Sequence, residues 1–162
     1  MTTIRRQALI LTVLLCAIGA AGVRPAGAVA PLVPFQIQLT VSGCPGRCPV
    51  WSASVSLDGS VVFDGYRNVA HPGRHSARIS PEAVHGLRRR VDEVGFMSLR
   101  PAYTGQISDA PTTTLSILIG STTRTVHVGG GPGGGAPEGL VRLISDIYDA
   151  AGLARWVGRP HP

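Results

Sequence analysis

The sequence predicts an α+β domain: an antiparallel sheet of five to six strands with two helices packed on one face, in the order β-β-β-(β)-α-β-β-α. Three observations carry that expectation. Short runs of apolar residues recur with period two, turn dipeptides join those runs in pairs, and two later segments switch to helical periodicity with capping residues at their starts.

Ahead of the first run, residues 1–28 have the three parts of a secretory signal. Arg5 and Arg6 form the charged start, Ala8 to Ala21 an apolar run broken only by Thr12 and Gly19, and Ala26-Gly27-Ala28 a small-residue cleavage site. The run of 14 residues falls short of the roughly 20 needed to cross a bilayer, so a signal is favoured over an anchor. Gln7 displaces the hydrophobic residues of a twin-arginine signal, which favours the general secretory route. Cys16 lacks a small residue before it and sits too early, so it is not read as a lipid anchor. The expected protein is exported to the periplasm, the cell envelope or the extracellular space, with no membrane span after cleavage. Residues 29–34 then form a proline-bearing spacer, 35–157 a single domain and 158–162 a disordered tail.

Phe35, Ile37, Leu39 and Val41 alternate with polar residues, a strand with one wet face. Trp51, Ala53, Val55 and Leu57 alternate with serines and reach Asp58-Gly59, which suits the positive backbone angles of a two-residue hairpin turn. Ser60 to Tyr66 returns as the partner strand, Arg67 to Arg74 is a loop, and His75 to Ile79 a short fourth strand. Ser80 caps the first helix, with Pro81 and Glu82 in its first turn. Val84, Leu87, Val91 and Val94 form its stripe and Gly95 ends it. Phe96 to Pro111 reads as a connection pinned by Phe96, Leu99 and Tyr103. A second hairpin turns at Gly120-Ser121, with Leu115, Ile117 and Ile119 on one strand and Val126 and Val128 on the other. The last helix spans Pro137 to Ala151, with Leu140, Ile144, Ile147, Tyr148 and Ala151 as its apolar face.

Charge excludes one class of partner. All 15 basic residues are arginine, and removal of the signal lowers the formal charge from +6 to +3. That is too mild to indicate specific nucleic-acid binding.

Cys44 and Cys48 would be the two cysteines of the mature chain, and in an exported protein such a pair forms a disulfide. Pro45-Gly46 allows the turn that bridging needs, and Arg47 stands at the tip. Together with His71 and His75 the cysteines also make a zinc-like donor set, but Pro72-Gly73 keeps the two histidines off one helical face. Arg67, His71, Arg74, His75 and Arg78 gather positive charge and, with Arg47, form the candidate binding surface. The glycine run from Gly129 matches a dinucleotide fingerprint, but its strand belongs to a hairpin and no ribose-binding acid follows. It reads as a mobile surface loop. No lysine is available for a phosphate loop, and neither a nucleophile elbow nor a zinc-protease motif occurs. No cofactor and no metal is expected.

Gly43-Cys44-x3-Cys48-Pro49-x-Trp51, the Asp58-Gly59 turn, Gly65-Tyr66, the Ile79-Ser80 helix start, Phe96 to Tyr103 and Asp109-x-Pro111-Thr112-Thr113 resemble an uncharacterised family of exported bacterial domains. Trp51 stands where that family would carry tyrosine. The resemblance covers Phe35 to Trp156 and implies a compartment and a disulfide, with no activity. Asp109 is the candidate functional acid, although an aspartate there also suits turn capping through its own backbone. The expected function is a non-catalytic envelope or secreted binding module for another protein or an anionic envelope polymer. The alternatives are a small hydrolase-type enzyme using Asp109, His75 or His127, and a Cys/His metal-binding module.

Overall fold

Period-two alternation becomes a sheet with one dry face. The computed structural model describes residues 33–158, so the predicted signal, the start of the spacer and the tail after Gly158 lie outside the described residues. The strands are β1 (Phe35–Val41), β2 (Val50–Ser56), β3 (Ser60–Arg67), β4 (Gly73–Arg78), β5 (Ala102–Thr104), β6 (Thr113–Ile119) and β7 (Thr122–Gly129). They form one sheet in the order β4-β3-β2-β1-β6-β7-β5. The helices are α1 (Pro81–Glu93), α2 (Glu138–Ala150) and the single turn α3 (Ala154–Val157).

The α+β class holds, but the sheet is mixed and has seven strands, and there are three helices among the described residues. The unforeseen strand is β5, which pairs parallel with β7 through Tyr103 and Val128. At three residues it is too short to show a periodicity, and the glycine-rich end of β7 determines its position. The fourth strand begins at Gly73, two residues ahead of the expected His75.

Both hairpins form. The first loop has three residues, Leu57 to Gly59, and only Gly59 has positive φ (82°). Asp58 acts through its side chain, accepting from Ser60 N (3.0 Å) and Ser60 Oγ (2.7 Å). Those bonds, with Arg78 nearby, hold the Asp58 carboxyl below its ordinary value of 3.8. Ser80 Oγ accepts from Ala83 N at 3.2 Å and caps α1 as expected.

Ile37, Leu115 and Ile117 at the sheet centre are fully buried, and α1 and α2 cover them with Val84, Leu87, Val91, Leu140, Leu143 and Ile147. Val94, Ile144 and Tyr148 are only partly buried, whereas Leu143, outside the expected face, is buried. Arg90 ties the helices together by donating to Asp146 at 2.8 Å. At the β4 side Trp156 of α3 stacks on Phe63 with centroids 5.3 Å apart.

Asp58 supports the hairpin only when ionised. Its contribution is fully present above the ordinary carboxylate value and is lost as pH falls through the lower folded value. An NMR titration is expected to place the Asp58 midpoint below 3.8, moving up toward that value in Ser60→Ala, which keeps the backbone bond and Arg78 but loses the hydroxyl.

Candidate functional site: an apolar cleft at the loop end of the sheet

Strand direction gathers three sequence motifs at one end of the sheet. β1 finishes at Val41 beside Trp51 of β2 and Thr113 of β6, while β7 and β5 finish there at Gly129 and Thr104. The cysteine loop, the Asp109-to-Thr113 segment and the glycine run therefore emerge together.

Two hydrogen bonds join the first two motifs. Ser42 N donates to Thr112 O at 2.9 Å, and Thr112 N donates back to Ser42 Oγ at 3.0 Å. Cys44 and Cys48 are disulfide-bonded, with Cα atoms 5.5 Å apart. Asn68, in the left-handed region at φ 55°, donates from its side chain to Cys48 O at 3.0 Å and anchors the far side of the loop.

The glycine run is pinned rather than free. Gly105 N donates to Gly129 O (2.9 Å) and Ile107 N to Gly130 O (3.2 Å), which continues the β5–β7 pairing past the strand ends. A Cβ on Gly105 would strike the Gly130 carbonyl, and a Cβ on Gly130 would strike the Gly105 backbone. Gly130 also has φ of 77°, which side-chain-bearing residues avoid. Composition alone suggested mobility because it does not show that these glycines permit close backbone contact.

Between this loop, the 107–113 segment and α2 lies a cleft of about 470 Å³, in the range of ligand-binding pockets. Ile107, Pro111, Val128, Gly131, Val141 and Ile144 supply most of its wall, and no ionisable side chain lines it. Ile107 is 54% exposed and Val141 39%, so two apolar side chains stand at the surface there. The Thr113 hydroxyl is the one polar side-chain group in the lining. The cleft can take up an apolar group but contains no nucleophile–base pair.

A more polar recess of about 330 Å³ adjoins the same loops and includes Ser108, Thr112, His127 and the Gly129-Gly130 backbone. His127 is exposed, as alternation predicted, and its Nδ1 lies 2.9 Å from Thr114 Oγ1.

The charged candidates are distributed differently. Arg47 is exposed in the cysteine loop, and the Arg67 guanidinium lies against Gly43. His71 is exposed, whereas His75 is half-buried, stacked on Trp156 at 5.8 Å, with Nε2 3.1 Å from Pro72 O. Arg74 lies 3.9 Å from Asp64 and Arg78 3.5 Å from Asp58, so both have acidic partners. Arg78 is at the opposite end of the sheet from Arg47. These six residues do not make one continuous patch.

Asp109 is exposed and accepts from Ser108 Oγ at 3.4 Å, with no bond to its own turn backbone. His75 on β4 and His127 on β7 are five strand positions apart, about 24 Å at the usual spacing, so the three proposed catalytic groups do not converge. The metal quartet is not available either, because the two sulfurs are bonded to each other. No group of three His, Cys, Asp or Glu residues converges among the described residues.

Residues 35–151 match the model of a family described as Domain of unknown function (DUF6438). The chain belongs to that family. The match spans the cysteine loop, the Asp109-to-Thr113 segment and the glycine run, the elements that meet at the cleft end. No curated protein matches the chain.

Sequence reasoning missed Ile107 and Val141. Ile107 is an isolated apolar residue in a polar connection, and Val141 lies beside the helix stripe rather than in it. Their exposure at adjacent walls is a tertiary fact.

The disulfide closes a loop so short that its loss is expected to cost only about 2 kcal/mol. Cys44→Ser with Cys48→Ser should lower urea-unfolding stability by about that amount while leaving the fold intact, because Asn68 and Thr112 still hold the loop. Complete unfolding of the double variant would contradict this.

Proposed function

We propose that this DUF6438 domain is a non-catalytic binding module of an exported protein, whose partner inserts an apolar group into the cleft beside the glycine loop. The observation that carries the reading is the composition of that cleft: apolar walls, one hydroxyl, no ionisable lining group, and Ile107 and Val141 exposed at it. Burying those walls against a partner is favourable at roughly 25 cal/mol per Å² of apolar area, before the cost of association. Export follows from the predicted signal at residues 1–28, and an oxidising compartment agrees with the Cys44–Cys48 bond.

Of the two partner classes that the sequence suggests, a protein suits this cleft better than an anionic envelope polymer. A polymer without apolar groups would leave the walls wet. Arg47 and Arg67, at the same end of the sheet, would then meet acidic groups around the inserted side chain.

Titration with the fluorophore 1-anilinonaphthalene-8-sulfonate is expected to show saturable one-site binding to the folded protein. Val141→Glu places a charge in the wall at a partly exposed position, and should weaken that binding about tenfold without shifting the melting curve. Equal binding by both proteins would remove the cleft as the binding site.

A further inference from the structure

The sheet face away from the helices is uncharged across four adjacent strands. The pairing register arranges its side chains in rows. Ser54, Gln38, Ser116 and Thr125 are successive cross-strand neighbours on β2, β1, β6 and β7. Ser52, Thr40, Thr114 and His127 form the row on one side, and Ser56, Gln36, Leu118 and Thr123 the row on the other. Rows lie about 6.8 Å apart along the strands, and neighbours about 4.8 Å apart across them. Eleven of these twelve side chains can hydrogen-bond, and none carries a fixed charge. A shallow groove of about 170 Å³ crosses the face beside Gln36, Gln38 and Ser116.

An aromatic ring borders this array. Tyr66 is 62% exposed, and its hydroxyl lies 3.0 Å from Ser52 Oγ on the neighbouring strand, so the ring reaches from β3 toward the row that starts at Ser52. Asp64 on β3 and Asp58 in the β2–β3 loop, at the border of this face, are paired with Arg74 and Arg78 of β4.

We propose that this face is a docking surface for a neutral polysaccharide chain. Such a chain presents hydroxyls that both donate and accept, which matches serine, threonine and glutamine side chains in alternating roles. Its sugar rings also present apolar C–H faces, which suit stacking on an exposed, anchored tyrosine ring. A charged polymer finds no counter-charge on the array. A protein partner would require an apolar centre, and Leu118 is the single apolar side chain among the twelve. This surface is separate from the cleft and does not depend on it.

Affinity electrophoresis of the purified protein through gels containing laminarin, hydroxyethylcellulose or soluble starch tests the proposal. Retardation is expected in at least one gel and should weaken about tenfold in both Tyr66→Ala and Gln38→Ala, whose exposed or partly exposed positions leave melting unchanged. Val141→Glu, whose added charge alters its mobility in any gel, should be retarded to the same degree as the parent when each is compared with its own migration in a gel without polysaccharide. Retardation in none of the three, or retardation unaffected by both face substitutions, overturns the proposal. So does retardation only in a polygalacturonate gel, which would assign binding to the arginines, or its loss in Val141→Glu, which would place the glucan in the cleft.

Discussion

The loop end of this domain depends on the contact between the backbones of Gly105 and Gly130, where neither position has room for a Cβ. Two hydrogen bonds close that contact, from Gly105 N to Gly129 O and from Ile107 N to Gly130 O. They hold β5 on the edge of β7 and place Ile107 opposite α2. Without that approach the segment after Tyr103 is held by a three-residue parallel ladder at one end and by the Ser42–Thr112 bonds at the other, which leaves its middle unattached. The glycines thus permit a close approach, which then defines a concave apolar surface.

A one-sided sheet divides the domain into surfaces of different chemistry. One face is sealed by α1, α2 and α3, with Ile37, Phe63, Leu115 and Ile117 fully buried beneath them. The opposite face carries serine, threonine and glutamine across its central strands. The cleft occurs where the helical layer meets the loop end, at the start of α2, and Val128 of β7 lines it while His127 lines the polar recess. Alternation along one strand is enough to send neighbouring residues to chemically different sites.

Local signals in the sequence were reliable wherever local physics governs. The alternation of β1, β2 and β6, the Ser80 cap and the Gly120 turn all depend on residues near in sequence, and they formed as expected. Strand β5 and the cleft depend on residues far apart, and three residues carry no usable period. The candidate cation surface failed to gather for a related reason. His71 to Arg78 are close in sequence, but strand alternation sends His75 toward Trp156 and leaves Arg74 and Arg78 beside acids on the other face. The cysteine pair was legible because its two partners are close in sequence, with a turn-forming Pro45-Gly46 between them.

Hydrogen exchange at the amides of Gly105 and Ile107, compared between the parent protein and Gly130→Ala, tests most directly whether the glycine contact organises the cleft. Both amides are donors in the parent, and the added methyl group would force their acceptors away. The account predicts that protection at these two amides is lost in the variant, while amides of β1, β2 and β6 remain protected. Undiminished protection at Gly105 and Ile107, with the central strands equally protected, would contradict it.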